Sequence, residues 1–227
     1  MTRVYVVVEG PTEEAFVANI LAQSLWPHHI YLTPIILGPP GHKGGNPTYV
    51  RVKKDIVTQL KQDRTAYCST MIDFYGLGAG FPGTPPPLAL SSYQKVRRIE
   101  QAFKMDIVEN LPDIRADVRF IPYLQLHEYE GLLFSDPQAL ASGIGQHHLA
   151  AHFQTIRSAF LTPEDIDDSP NTAPSKRIVN AYAAYSKPID GLRAARAIGI
   201  DKIRVECPHF REWLEQLQAL ANGLPSV

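Results

Sequence analysis

The stretch VYVVVEGPTEE, Val4 to Glu14, decides how the first part of the chain folds. Its apolar start has no polar break, which is typical of a strand that is buried on both faces in a parallel sheet. Gly10 ends the strand, and Pro11 with the acids that follow it suits the first turn of a helix. The stretch therefore predicts a strand over residues 3–8 that leads directly into a helix, with Glu9 at the junction.

The same alternation of strand and helix continues beyond this stretch as far as Leu126. Further strands are predicted over residues 30–37, 67–73 and 117–125, helices over 49–62 and 94–110, and a loop over 38–47. The segments 137–160 and 163–223 are predicted to be mainly helical. This order predicts an α/β fold with a mostly parallel sheet flanked by helices and a largely helical C-terminal half.

No segment has the composition of a linker between domains. We therefore expect one domain over residues 1–227, with an α/β core at 1–126 and a mainly helical part at 127–227 that completes or caps the core. A chain of 227 residues, 44% of them hydrophobic, is long enough for one substantial core.

Composition and charge narrow the classes of function. The formal net charge of −1 gives no overall positive field, so any binding to nucleic acid has to come from local basic groups or metal ions. Two cysteines, Cys68 and Cys207, are too few for a disulfide scaffold and fit a reducing compartment. The N-terminus lacks the pattern of a signal peptide, and no run of about 18 apolar residues occurs. A cytoplasmic protein without a membrane partner is expected.

Acidic residues follow three of the predicted strands. Because the carboxyl ends of parallel strands meet at one edge of a sheet, these acids are expected to converge there. Uncompensated carboxylates repel each other, so a cation is their natural partner, and oxygen ligands favour Mg²⁺ or Mn²⁺ over zinc. Two such ions would form a site for phosphodiester cleavage or phosphoryl transfer. The polar residues at the strand ends are Glu9, Glu13, Glu14, Asp73, His127, Glu128, Glu130 and Asp136.

Each of these residues also has a simpler explanation. Glu9 suits a cap for the helix that follows, and Glu13 and Glu14 suit the positive end of that helix. Asp73 suits a turn at a strand end, and His127 suits a structural role. The three strand ends taken together favour a divalent-metal site more than any single residue does.

Basic residues supply the complementary part of a phosphate site. In NTAPSKRIVNAY, Ser175 is expected to cap a helix that has Lys176 and Arg177 in its first turn, where cations are disfavoured. That position favours a role for both cations in binding an anion, and a solvated surface pair is the alternative.

Two further groups of cations are candidates for contacts with a nucleic-acid backbone. The stretch GHKGGNPTYVRVKK contains Lys43, Arg51 and Lys54, and glycines flank Lys43, which allows backbone amides to approach phosphates there. The stretch KVRRIE contains Arg97 and Arg98, for which a solvated helix face is the favoured interpretation.

The stretches VVVEGPTEE and MIDFYG resemble the Toprim fold, the domain shared by topoisomerases, bacterial-type primases and OLD-family nucleases. Members of that group have a hydrophobic-Glu-Gly pattern after the first strand, which Glu9 and Gly10 match, and an Asp-x-Asp after a later strand. Asp73 matches the first acid of the second motif, whereas Tyr75 stands where the second acid is expected. Glu128 or Glu130 is expected to replace it.

Three longer stretches make the resemblance more specific. FIPYLQLHEYEGLLFSD, TAPSKRI and CPHFREWL resemble the bacterial Toprim-like family known as domain of unknown function 4276, and the similarity extends nearly to Leu217. The resemblance implies a Toprim-type nuclease related to OLD proteins, encoded beside an ATPase and acting in defence against phage. The chain has no P-loop pattern, so ATP hydrolysis would have to come from a partner.

We therefore expect a Mg²⁺- or Mn²⁺-dependent nuclease that hydrolyses phosphodiester bonds of DNA. The expected roles are: metal ligands Glu9, Asp73, Glu128 and Glu130; a further ligand or base, Glu13; charge stabilisation by Lys176; and phosphate binding by Arg177, Lys43, Arg51 and Lys54. The alternative is a Toprim-like adaptor that binds an ATPase partner and nucleic acid but cleaves nothing. RNA or a nucleotide as substrate, and association of the chain with itself, are left open.

Overall fold

The structure is a computed structural model that describes residues 1–38, 44–45, 47–78, 80–166 and 172–222. Lys43, a predicted phosphate contact, lies outside the described residues. None of the described helices combines the length and the apolar character that a membrane crossing requires.

A five-stranded sheet forms the centre of the described fold. The strands run in the order β2-β1-β3-β4, with β5 also paired to β3, and every one of these pairings is parallel. The prediction of a mostly parallel sheet flanked by helices, with a helical C-terminal half, is confirmed. The strands are β1 Thr2–Val8, β2 Ile30–Ile36, β3 Tyr67–Asp73, β4 Phe120–Ile121 and β5 Leu124–Gln125.

Helices connect the strands and make up most of the second half of the chain. The first is continuous from Pro11 to Leu25, with a π-helical turn inside it. The helices are α1 Pro11–Phe16, α2 Ala22–Leu25, α3 Tyr49–Gln62, α4 Ser92–Asn110, α5 Ala116–Arg119, α6 Glu130–Leu133, α7 Pro137–Gly143, α8 Ala150–Ser158, α9 Pro174–Ala181, α10 Leu192–Ile198, α11 Ile200–Glu206 and α12 Pro208–Ala219. π-Helical turns span Val17–Leu21 and Lys187–Gly191.

The fourth strand differs from its prediction over residues 117–125. Its first part belongs to α5, and the remainder is divided into β4 and β5 by Pro122, which has no N–H to donate to a ladder. The hydroxyl of Thr70 takes the place of a ladder partner here. It accepts from the N–H of Tyr123 at 2.9 Å and donates to the carbonyl of Tyr123 at 2.8 Å.

The sheet separates two hydrophobic clusters. Val7 of β1 faces a cluster formed mainly with α3 and α4, whereas Val6 and Val8 face a cluster formed with the first helix and the C-terminal helices. The alternation follows from the period of two along a strand. Helix α12 is fixed to the sheet by Trp213, whose indole N–H donates to Ser69 Oγ at 2.9 Å. The helical half of the chain therefore covers one face of the sheet.

A buried arginine connects the elements at the amino end of β3. Arg119 is 2% exposed, and its guanidinium donates to the carbonyls of Ala66 at 2.8 Å, Ile114 at 3.0 Å and Leu60 at 3.2 Å, and also to that of Asp63. The charge is thus satisfied by carbonyl dipoles, as a buried cation requires.

Candidate functional site

The carboxyl ends of β1, β3 and β5 lie side by side because β3 pairs in parallel with both of the others. Glu9 follows β1, Asp73 is the last residue of β3, and Glu128 and Glu130 follow β5 by a few residues. Glu13 adds a fifth carboxylate from the first turn of α1. The structure thus brings together the five acids to which metal-binding or catalytic roles were assigned, and we call them the acid cluster.

Two of these acids accept hydrogen bonds from the backbone that surrounds them. Asp73 Oδ1 accepts from the N–H of Tyr129 at 3.0 Å, which fixes the segment after β5 against the end of β3. Glu13 Oε2 accepts from the N–H of Gly10 at 3.0 Å. Glu13 thus lies in the first turn of α1, as one interpretation of the sequence predicted. Its carboxylate also lies near Glu9 and Asp73.

The two acids after β5 have partners in the C-terminal half. Glu128 Oε2 accepts from the N–H of Ser175 at 3.0 Å, and Glu130 Oε2 accepts from Lys187 Nζ at 3.0 Å. Glu130 is 1% exposed, whereas the side chain of Lys187 is 44% exposed, so the pair lies at the border between interior and solvent. Helical segments distant in sequence therefore complete the cluster.

The carboxylate of Glu9 packs against the backbone of Gly76. A Cβ atom added to Gly76 would lie 3.2 Å from Glu9 Oε2 and 3.5 Å from Oε1, so the absence of a side chain at Gly76 leaves room for this carboxylate. Within the described part of the chain, the buried atoms Glu9 Oε2 and Glu130 Oε1 have no hydrogen-bond partner. A buried unpaired carboxylate oxygen costs free energy, which favours a ligand that satisfies it.

Burial and mutual repulsion raise the pKa of several of these acids. Burial raises the pKa of Glu13 to about 7, and the neighbouring Glu9 adds to the effect. Burial also raises the pKa of Glu9 and of Glu130. The pKa of Asp73 is well above its ordinary value because of burial and the charges of Glu13, Glu130 and Glu9.

Lys187 supplies positive charge to the acid cluster, because it pairs with Glu130 and its charge acts on Glu9, Glu13 and Asp73. Burial lowers its pKa, but the charges of Glu130 and Glu128 outweigh that effect and raise it overall. This lysine was not among the site residues predicted from the sequence, and it stands at the start of a π-helical turn in the stretch KPIDG. One cation against five carboxylates leaves an excess of negative charge when all five are ionised.

The two cations predicted to serve the site lie on α9. Lys176 is exposed, and it forms no ion pair with the cluster among the described contacts. Arg177 donates from Nε to the carbonyl of Thr172 at 2.7 Å and lies over the ring of Phe160 at 5.4 Å. The predicted Ser175 cap is wrong, because the helix begins at Pro174 after an Ala173 cap and the N–H of Ser175 is satisfied by a cluster acid instead.

The other predicted phosphate contacts lie on α3. Arg51 donates to the carbonyls of Gly45 at 3.0 Å and Gly44 at 3.1 Å. A Cβ atom on Gly44 would lie 3.5 Å from the carbonyl oxygen of Glu9, so Arg51 fixes a loop that touches the backbone of the site. Lys54 is exposed on the same helix.

The donor set of the acid cluster fits a hard divalent cation, because it consists of carboxylate oxygens and includes two buried oxygens without partners. In the present arrangement the carboxylates are directed at backbone N–H groups and at Lys187. Over the described residues, no three His, Cys, Asp or Glu side chains converge closely enough to hold a metal ion. Binding would therefore require the carboxylates to exchange these partners for the ion.

Comparison with known proteins gives one match. The model of the family described as a domain of unknown function (DUF4276) matches residues 8–218, and the chain therefore belongs to that family. No curated protein and no solved structure matches the chain. The matched region includes every residue of the acid cluster and Lys187.

Proposed function

We propose that the chain is a Mg²⁺- or Mn²⁺-dependent phosphodiesterase that acts on DNA, with the acid cluster as its active centre. The observation that carries the proposal is that five carboxylates lie near one another and near Lys187 at the carboxyl edge of a parallel sheet, where open α/β sheets bind ligands. The unpaired buried oxygens of Glu9 and Glu130 support it.

The proposed metal ligands are Glu9 and Asp73, with Glu128 and Glu130 completing the set. A bound divalent ion lowers the pKa of water and offsets the charge of a phosphate group. Glu13 is suited to accept a proton near neutral pH, because burial raises its pKa to about 7.

Lys187 takes the role that the sequence analysis assigned to Lys176. Its ammonium lies 3.0 Å from Glu130 Oε2, and its side chain is partly open to solvent, where an approaching phosphodiester would meet it. A fixed positive charge at this place would offset the charge that develops on phosphorus-bound oxygens.

The relationship to Toprim and OLD proteins is part of the proposal. Glu9-Gly10 after β1 and Asp73 at the end of the adjacent β3 support it, because both acids have the placement that the Toprim pattern requires. We further propose that the nuclease serves an ATPase-linked defence against phage, the context that the family resemblance implies.

Cleavage of plasmid and single-stranded DNA with Mg²⁺ or Mn²⁺ tests the proposal. Asp73→Asn and Glu9→Gln keep the size of each side chain and remove its charge, and each is expected to lower the rate by roughly 100-fold or more. Glu14→Gln is the matched control, because Glu14 lies next to Glu13 in sequence and outside the acid cluster. Undiminished cleavage by both site variants would overturn the proposal.

A non-catalytic adaptor is the second candidate. The presence of Tyr75, 51% exposed, where the second Toprim acid is expected favours it, as does the present lack of three converging ligands over the described residues. Wild-type protein that binds Mn²⁺ but cleaves no DNA, either alone or with an ATPase partner, would establish this candidate instead.

A further inference from the structure

A cleft of about 760 Å³ lies beside α4, away from the acid cluster. Polar side chains of α4 line one side of it: Tyr93, Gln94, Arg97, Arg98, Gln101 and Lys104. Gln94, Arg97, Gln101 and Lys104 recur at intervals of three or four residues along one face of the helix, and Arg98 lies beside them. Gln216 of α12 and Pro122, between β4 and β5, contribute to the remaining wall.

The cleft carries more positive than negative charge. Arg97 is engaged with carboxylates, since it lies 3.4 Å from Glu100 and 3.9 Å from Glu212. Arg98 and Lys104 form no ion pair with any residue that the structure describes. Lys104 is half-buried, and this burial lowers its pKa. The charge of Asp117 acts on Lys104, but neither Lys104 nor Arg98 is held in an ion pair, so both cations can bind an anion in the cleft.

The carboxylate in the cleft lining, Glu100, is already satisfied. It is 4% exposed, and its Oε1 lies 3.0 Å from His209 Nε2 and accepts from the N–H of Leu124 at 2.8 Å. Its charge is thus directed into the protein. The imidazole of His209 in turn stacks against Tyr123, with the ring centroids 5.0 Å apart.

A fixed aromatic ring stands at one end of the row of cations. Tyr93 is 37% exposed, its hydroxyl donates to Glu212 Oε1 at 2.7 Å, and its ring meets the imidazole of His209 edge to face at 5.7 Å. An aromatic plane next to cations is the combination on which single-stranded nucleic acids bind, since bases stack and phosphates pair. From Tyr93 to Lys104 the helix extends about 16 Å.

We propose that this cleft binds a nucleotide unit, with its phosphate on Arg98 and Lys104 and its base against Tyr93. A volume of about 760 Å³ suits such a ligand, since small-molecule sites span about 300–1,000 Å³. The unit comes either from a free nucleotide or from a single-stranded polynucleotide. The inference goes beyond the phosphodiesterase proposal, because the cleft shares no residue with the acid cluster and needs no metal.

Arg97 and Arg98 are exposed on α4, which agrees with the solvated helix face that the sequence favoured for KVRRIE. The structure places both in a cleft beside Tyr93 and opposite α12, with amide side chains between the cations. Amides and guanidinium groups are donors that suit phosphate oxygens and base edges.

Calorimetric titration in EDTA tests the proposal without cleavage. The probes are deoxyadenosine monophosphate, a twelve-residue deoxythymidine oligonucleotide and inorganic pyrophosphate, which has no base. Tyr93→Leu is expected to weaken binding of the probes with a base by about fivefold to tenfold, and to leave pyrophosphate unaffected. Tyr93→Phe keeps the ring and is expected to retain the affinity of the wild type.

The double variant Arg98→Ser/Lys104→Gln tests the phosphate contacts. It should weaken all three probes and reduce the slope of log K against log salt for the oligonucleotide by about 0.7, since both cations hold one phosphate and each neutralised phosphate contributes about 0.7. The matched control is Lys95→Gln, which removes a cation of α4 that lies outside the cleft lining and should change neither quantity. Thermal unfolding of each variant shows whether it folds.

The outcomes separate the two sources of the ligand. Mononucleotide binding as tight as that of the oligonucleotide identifies a free nucleotide, and binding of the oligonucleotide alone identifies a polynucleotide. The absence of binding by any probe to the wild type would overturn the proposal, as would binding that the Tyr93 and Arg98/Lys104 variants leave unchanged. These results do not depend on whether the acid cluster cleaves DNA.

Discussion

Replacing Glu13 with glutamine removes one charge from the acid cluster and keeps the shape of the side chain. Glu13 is 8% exposed, and its Oε2 accepts from the N–H of Gly10 at 3.0 Å. The amide oxygen of glutamine can accept the same hydrogen bond. Glu13→Gln therefore isolates the cost of holding this carboxylate in its charged form near Glu9 and Asp73.

The magnitude and its sign follow from the pKa of Glu13. Burial, followed by the charge of Glu9, raises this pKa from 4.5 to about 7, so the folded protein binds this proton more tightly than the unfolded chain does. The raised pKa therefore adds to the unfolding free energy. This contribution is fully present below pH 4.5 and is lost as the pH rises through 7. The difference corresponds to about 3 kcal/mol of unfolding free energy. Glutamine does not titrate and avoids that loss.

Urea unfolding in metal-free buffer between pH 4 and pH 8.5 measures the effect. The variant and the wild type should have similar unfolding free energies at pH 4, and the variant should be more stable by about 3 kcal/mol at pH 8. Glu14→Gln, the control outside the cluster, should change stability by about 0.5 kcal/mol or less at either pH. A Glu13→Gln variant that is less stable than the wild type at pH 8, or a difference independent of pH, would refute the reasoning.

Three further substitutions test other parts of the account. Gly76→Ala places a methyl group 3.2 Å from Glu9 Oε2, so the folded variant should bind Mn²⁺ about tenfold more weakly, measured by calorimetry; unchanged affinity would contradict the placement of Glu9. Lys187→Gln removes the partner of Glu130. It should lower the rate of DNA cleavage roughly 100-fold and, because Lys187 is partly exposed, lower the unfolding free energy at pH 8 by about 1–3 kcal/mol. Arg119→Leu leaves buried carbonyls unpaired and should cost about 3–5 kcal/mol in urea unfolding, while the protein that remains folded keeps its Mn²⁺ affinity.

Local periodicity was sufficient to predict most of the sheet and its helices. The helix over residues 49–62 and the strand over 67–73 have the predicted bounds, because their apolar positions follow the periods of helix and buried strand without interruption. The fourth strand was predicted incorrectly. Pro122 was a visible signal against a continuous ladder, but the role of the Thr70 hydroxyl as a substitute partner depends on tertiary contact.

The acids of the candidate site could be selected from the sequence because strand ends in a parallel sheet share an edge. Lys187 could not, because it pairs with a residue 57 positions away and its own surroundings, a helical region with a proline, carry no local signature. The lysine chosen instead, Lys176, lies on α9, whose backbone contacts the cluster through the N–H of Ser175. The sequence pattern therefore indicated correctly that α9 contacts the acids. The contacting group is the backbone N–H of Ser175 and not the side chain of Lys176.

Binding of Mn²⁺, followed by the loss of the electron paramagnetic resonance signal of the free ion, tests the central claim most directly. At pH 8 the wild type is expected to bind Mn²⁺, and Asp73→Asn and Glu9→Gln are each expected to weaken that binding at least about tenfold, while Glu14→Gln retains it. Mn²⁺ binding that both site variants retain, or no binding by the wild type, would contradict the assignment of the acid cluster as a metal centre.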